Sequence, residues 1–175
     1  MNMKSRRGSF NIYFTIALLF VVAGCRTSGR PSDEKNMSAM HLFLETTEDG
    51  SSANGRVLVT RQKIPMIVQR EPFLTEMDVA RAQVVEDQGG FAIEIFFNEH
   101  GTLALDMATV GNKGRHIAIR TQYPDFTRWV AAPMITGRVA NGVLQFTPDA
   151  DRKEAERIVA GLNKVAKAAK KAAKR

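Results

Sequence analysis

The sequence predicts an α+β fold: an antiparallel or mixed β-sheet with about three helices packed on it, placed after an N-terminal leader and a flexible tether. Three observations carry this. Residues 91–98 (FAIEIFFN) alternate partly and are rich in β-formers, and residues 115–121 (RHIAIRT) read as another alternating strand. Ile158, Leu162 and Val165 recur at helical spacing in the last long segment. The connections between strand-like segments are short and rich in turn residues, so hairpins outnumber the long crossovers that a parallel sheet needs.

Taken in order, residues 41–46 (HLFLET) read as the first strand, and residues 48–55 (EDGSSANG) as a turn cluster. Residues 56–69 hold two apolar runs, VLV and IPMIV, interrupted by Lys63 and Pro65. They read as a strand with a break, with Pro65 placing the second part on an edge. Thr75 is a helix cap, Glu76 and Asp78 are acids in a first turn, and Met77, Ala80 and Val84 follow at helical spacing. This predicts a helix over 75–87, ended by Gly89-Gly90.

In the next strand Phe91, Ile93, Ile95 and Phe97 share one face, with Glu94 on the other. Residues 100–112 read as a second helix with Leu103, Met107 and Val110 on its stripe. In the strand that follows, Ile117 and Ile119 point inward and His116 lies opposite. Residues 129–135 and 143–147 complete the sheet, with Asn141-Gly142 as the strongest two-residue hairpin signal. Residues 149–171 form the last helix. The expected core includes Ile93, Ile95, Phe97, Met107, Ile117, Ile119 and Leu162.

The 175 residues fit one domain plus appendages. Hydrophobic residues make up 44% and charged residues 25%, which excludes a wholly disordered chain. A single Cys excludes a disulfide framework, a multi-Cys zinc site and an iron–sulfur cluster within one chain. The net charge of +7 resides at the ends. Lys4, Arg6 and Arg7 open the chain, and Lys164, Lys167, Lys170, Lys171, Lys174 and Arg175 close it with no acid between them. The body between is mildly acidic, which argues against a basic nucleic-acid groove.

Residues 1–24 have the three parts of an export signal: basic residues, an apolar run from Phe10 to Ala23, and small residues before Cys25. The apolar run is shorter than the roughly 20 residues of a membrane span, although an uncleaved anchor helix is the alternative. Val22-Ala23-Gly24-Cys25 resembles the bacterial lipobox. That resemblance implies cleavage before Cys25, a diacylglyceryl group on its sulfur and an acylated amine, hence a membrane partner through the lipid anchor. A buried structural Cys is the plainer reading. Arg26 in place of Asp leans toward the outer membrane. Residues 25–40 are polar, with Gly29 and Pro31, and read as the tether. The domain proper is placed at 41–163 and a basic Ala/Lys tail at 164–175.

An ordered series of short motifs begins near Glu71. It runs through Leu74-Thr75 with Asp78, Val79 and Ala82; Ile93 with Gly101, Leu105 and Thr109; and Gly114-Arg115-His116-Ile117-Ala118-Ile119. Ala132-Pro133-Met134-Ile135 follows, then Phe146-Thr147, then Glu154-Ala155 with Ile158, Leu162 and Asn163. This series resembles the head subdomain of the first periplasmic domain of SecD and SecDF, the membrane subunits of the export motor. The resemblance spans roughly 100 residues from about Glu71 and, more loosely, the strands before. It implies the fold and, by analogy, a polypeptide-contacting role outside the cytoplasm, alone or beside a Sec-type membrane complex. The motor subunits couple protons through intramembrane carboxylates on six spans; no such segment is legible here, so motor function does not follow. In the family a short D-G hairpin stands where this chain has residues 120–128 (RTQYPDFTR). As local chemistry, Gly101 and Gly114 suit turns at element ends, and Thr109 suits a bond to a helix carbonyl.

Catalytic patterns are thin, and no enzyme activity, cofactor or metal is expected. His41, His100 and His116 lack the spacing of a helical metal pair. No G-x-S-x-G, P-loop or G-x-G-x-x-G occurs. Gly111-Asn112-Lys113-Gly114 mimics a nucleic-acid GXXG loop, but export and the acidic body disfavour that partner. The inserted segment offers Tyr123, Phe126, Arg128 and Trp129, the residue types that interfaces favour, as a partner-binding site. The competing reading is that these rings pack beneath the segment. The tail lysines share one helical arc, which reads either as a solvated extension or as a contact for anionic lipid. The expected function is a lipid-anchored, periplasm-facing envelope protein that binds polypeptide or assists export. The alternative is an adaptor lipoprotein docking a membrane complex.

Overall fold

The computed structural model describes residues 39–50, 52–123 and 126–173. The leader, Cys25, most of the tether, Lys174 and Arg175 lie outside the described residues. In chain order the elements are β1 (Ala39–Leu44), β2 (Asn54–Val59), β3 (Ile64–Gln69), β4 (Leu74–Thr75) and β5 (Val79–Asp87). Then come β6 (Gly90–Phe97), α1 (Glu99–Gly111), β7 (Ile117–Gln122), β8 (Thr127–Ala131), β9 (Val143–Phe146) and α2 (Arg152–Ala172).

Among the described residues all strand pairings are antiparallel. One sheet has the order β4-β1-β7-β8, another β5-β6-β9, and β2-β3 form a separate hairpin. The two-residue period of β1 and β7 explains how these layers join. Met40, Leu42, Leu44, Ile117 and Ile119 enter the main core, with Ile93 and Ile95 of β6, Leu105 of α1, and Ile158 and Leu162 of α2. The alternate residues Phe43 and Ala118 point to the opposite face. There they meet Val59, Met66 and Val68, which seat the β2-β3 hairpin in a second, smaller core. The α+β architecture and the burial of Ile93, Ile95, Phe97, Ile117, Ile119 and Leu162 agree with expectation. β1 begins at Ala39, two residues before the strand read from the sequence, and Met40 is fully buried.

Four expectations are corrected. The helix over 75–87 does not form, leaving two α-helices among the described residues. Thr75 does cap a helical turn, in a capping box with Asp78, but the turn is a single 3₁₀ turn, Glu76–Asp78. The chain then extends as β5, pairing Ala82 with Ile95 and Gln83 with Glu94. A bulge between Val79 and Arg81 breaks the two-residue period and leaves Val79 and Ala82 as the inward pair, a spacing that imitates a helix.

Met107 is not in the core. The buried face of α1 is Gly101, Leu105, Ala108 and Thr109, and Leu103, Met107 and Val110 face outward. Asn141-Gly142 is not a hairpin, because β8 pairs with β7 and β9 with β6. Instead the segment before β9 runs back along α1. The Ile135 carbonyl accepts from Gly114 N at 2.8 Å, Val139 N donates to Thr109 Oγ1 at 2.9 Å, and Arg138 clasps Asp106 at 2.6 Å. Gly142, with φ +67°, abuts Thr102 so closely that a Cβ would lie 2.1 Å from its Oγ1. Gly114 does occupy a positive-φ turn at +86°. Gly101 serves close packing instead: a Cβ there would meet Asp78 Cβ at 2.9 Å and Phe97 Cβ at 3.0 Å.

Candidate functional site

The segment 120–128 brings some of its predicted contact residues together. Tyr123 is 4% exposed, and its ring lies 4.5 Å from that of Phe126. The Arg157 guanidinium of α2 stacks over both rings, at 4.1 Å from Tyr123 and 5.7 Å from Phe126. Burial, and then the nearby Glu154 carboxylate, push the Tyr123 hydroxyl above its ordinary pKa. Phe126 remains 44% exposed and lines a pocket of about 270 Å³ with Asp151, Lys153, Glu154 and Arg157.

Arg128 pairs with Glu154 at 3.0 Å and donates to the Asp149 carbonyl, and Glu154 also lies 3.5 Å from Arg61 at the tip of the β2-β3 hairpin. Trp129 packs edge-on against Phe43, with ring centroids 5.2 Å apart, beneath the second core. Arg128 and Trp129 line a different pocket, of about 320 Å³, with Leu58, Thr60, Arg61, Lys63 and Thr127. The four residues thus divide between two shallow surfaces. Tyr123, Arg128 and Trp129 are engaged within the fold, and Phe126 is the exposed ring among them.

A second surface is absent from the sequence reading. On α1, Leu103, Met107 and Val110 are 61%, 69% and 61% exposed, and Met77 beside the helix start is also exposed. Next to this stripe is a pocket of about 390 Å³ lined by Phe97, Asn98, Glu99, Thr102, Leu103, Asp106 and Ala140. Asn98 caps the helix by accepting from Gly101 N at 2.9 Å, and its amide donates to the Met77 carbonyl at 3.0 Å, fixing Met77 beside the stripe. The sequence signal was present but ambiguous. α1 is apolar on both sides, so spacing alone does not say which stripe is core.

Two of the histidines pair with carboxylates. His100 meets Asp78 at 2.8 Å and His116 meets Glu45 at 2.7 Å. His41 is held below its ordinary pKa by burial, opposed by Glu76 and reinforced by Arg120. Among the described residues no three His, Cys, Asp or Glu side chains converge as a metal site, and no helix is long and apolar enough to cross a membrane. Lys164, Lys167, Lys170 and Lys171 continue α2 without a break. Val165 and Ala166 are buried, and Lys164, Lys167, Lys170 and Lys171 are exposed.

The fold is similar to two solved SecDF structures. One, described as a membrane component that enhances protein export, matches with a TM-score of 0.54 and 19% identity, over 74% of this chain and 64% of that one. The other, SecDF in a super-membrane-facing form, matches with a TM-score of 0.55 and 19% identity, over 75% of this chain and 19% of that one. The chain therefore spans less than two thirds of the first and a fifth of the second. No curated protein matches the sequence. The model of the SecDF P1 head subdomain matches residues 52–167, from the hairpin through most of α2. With the antiparallel sheets and both helices in place, the chain belongs to the SecDF P1 head subdomain family.

Proposed function

We propose that this chain is a non-enzymatic, lipid-anchored protein of the bacterial cell envelope whose head domain contacts polypeptide outside the cytoplasm and assists protein export. Family membership supports the export context. The lipobox-like Val22-Ala23-Gly24-Cys25 supports anchoring through Cys25, and Arg26 supports the outer membrane facing the periplasm. The basic end of α2 adds a contact with anionic lipid.

The observation that carries the polypeptide reading is the outward stripe Leu103, Met107 and Val110 beside its groove. Exposed apolar side chains at helical spacing gain nothing from water, and covering them is favourable by about 25 cal/mol per Å². Methionine is unbranched and polarisable, so Met107 and Met77 adapt to apolar segments of differing shape. That suits a surface meeting many sequences. Phe126 in its own pocket offers a further apolar contact.

The test is binding of the full-length protein, in detergent, to fluorescein-labelled, reduced and carboxymethylated lactalbumin, a permanently unfolded chain. Leu103→Ser with Met107→Ser is expected to weaken binding at least tenfold while thermal stability stays within a few degrees. Unchanged affinity in the folded double variant rules out this surface. Absence of binding by the unsubstituted protein rules out the polypeptide reading.

A further inference from the structure

We propose that the last two turns of α2 form a docking face for anionic phospholipid, and that this face holds the head domain against the bilayer in one orientation. The proposal rests on the anchored reading above and adds the surface that sets the orientation. Its basis is where the helix stops packing. The buried stripe of α2 is Ala155, Ile158, Gly161, Leu162, Val165 and Ala166, yet the helix continues to Ala172. Beyond Ala166 none of the described residues is buried, and those described are all Lys or Ala.

At about 100° per residue, Lys164, Lys167, Lys170 and Lys171 fall within an arc of about 120° centred opposite the buried stripe. Among the described residues, the ion pairs engage Arg56, Arg61, His100, His116, Arg128, Arg138 and Arg152, and none of these four lysines. Lys170 and Lys171 stand at the helix C-terminus, where the macrodipole favours cations. The helix end is thus a solvated, unpaired, single-sign surface, complementary to phosphate headgroups.

The direction of α2 places that surface. Arg152 at its start pairs with Glu86 near the end of β5, and Asn163 bonds Ala82 further back along the same strand. α2 therefore runs antiparallel to β5, toward the turn Glu76–Asp78, against which it packs. The Glu76 carboxylate of that turn accepts from Met40 N at 3.2 Å, at the second residue of β1. The basic helix end and the point where the chain enters the sheet are brought to one side of the domain by the same turn. The chain that precedes β1 therefore joins the domain on the side that carries the basic helix end.

The occupant is an anionic bilayer surface. Ala at 168, 169, 172 and 173 gives the helix end too little apolar area for insertion, and each lysine near an anionic surface strengthens association about fivefold.

The test uses the full-length protein in vesicles, with Ala172→Cys labelled by a donor dye and an acceptor dye on the lipid headgroups. Vesicles of phosphatidylcholine alone are compared with vesicles containing one third phosphatidylglycerol. High energy transfer in the anionic vesicles alone, lost in 0.5 M salt and in Lys164→Gln/Lys167→Gln/Lys170→Gln/Lys171→Gln, supports the proposal. Equal transfer in both vesicle types, or an unchanged quadruple variant, overturns it. Flotation with phosphatidylcholine vesicles reads the anchor separately. If the protein fails to float there, the anchored reading falls. Lysine-dependent flotation with the anionic vesicles would then still support the helix face, and its absence would overturn that too.

Discussion

The side chain of Asn163 pairs with the backbone of Ala82 as a neighbouring strand would. Its Oδ1 accepts from Ala82 N at 2.9 Å and its Nδ2 donates to the Ala82 carbonyl at 2.9 Å. β5 is an edge strand of its sheet, so these two groups have no ladder partner on that side. One amide from α2 supplies both bonds and fixes the helix in register on the sheet. Asn163 follows Leu162, whose side chain is fully buried in the main core.

Removing that amide leaves a donor and an acceptor without protein partners. Asn163→Ala is expected to destabilise the domain by about 1–3 kcal/mol. Asn163→Asp keeps the size and one acceptor but loses the donor, and is expected to cost a comparable amount. Urea unfolding midpoints at constant m-value check both.

Gly101 and Gly111 are both in α1, and replacing each by Ala is expected to act with opposite sign. Helix propensity favours Ala over Gly by about 1 kcal/mol in either place. At Gly111 a Cβ meets nothing within 4 Å, so Gly111→Ala is expected to stabilise by about 0.4–1 kcal/mol. At Gly101 the Cβ would press on Asp78 and Phe97, whose own Cβ atoms cannot swing away. Overpacking of about 1–3 kcal/mol then wins over propensity, and Gly101→Ala is expected to lower the melting temperature. A stabilised Gly101→Ala would show that α1 does not pack against the 76–78 turn as described.

Some elements were legible because one physical signal dominated. β6 and β7 are rich in β-formers with Ile93, Ile95, Ile117 and Ile119 spaced two apart, and α2 combines the Asp151 cap with a single apolar stripe. β5 was misread because its bulge at Ala80 replaced alternation by a helix-like spacing, next to a real Thr75 capping box. The outward face of α1 was misread because both of its faces are apolar, and only the tertiary arrangement decides that Leu105 goes in and Met107 stays out. Asn141-Gly142 carries a true turn signal, but the partner of β9 is the distant β6. At the candidate site, the aromatic and Arg composition of residues 120–128 was visible. Its division between Phe126 in one pocket and Trp129 in another depends on Arg157 and Phe43, which are remote in sequence.

His41 makes stability pH-dependent near neutrality. Its folded pKa lies below the usual 6.5, chiefly because burial disfavours the charged ring, so the unfolded chain takes up the proton first. Stability from this residue is fully present above about 6.5 and is lost as pH falls through the depressed folded value. His41→Gln is expected to flatten the stability profile between pH 7 and pH 5. An unchanged slope would assign it to other groups. Asp106 and Glu86 act in the same direction in the acid range, since hydrogen bonds from Arg138 and Arg152 hold their carboxyls below the usual values.

Anchoring through Cys25 predicts a mass change. The mature protein from native membranes is expected to begin at Cys25 and to carry the added mass of three acyl chains and glycerol. Cys25→Ser is expected to remain uncleaved and to lack that mass. Intact-mass spectrometry finding an unmodified Cys25 in the native protein contradicts the anchor.

The central claim is that α1 offers its outward apolar stripe to exported polypeptide. The direct measurement is photo-crosslinking in living cells with benzoylphenylalanine at Met107, and at exposed Lys113 as the comparison, during a brief pulse of radiolabelled amino acids. The account predicts labelled adducts of many sizes at Met107 that disappear during a chase, and few at Lys113. A single adduct of fixed mass that persists through the chase, the mark of an adaptor with one stable partner, or no adduct at Met107 at all, would contradict it.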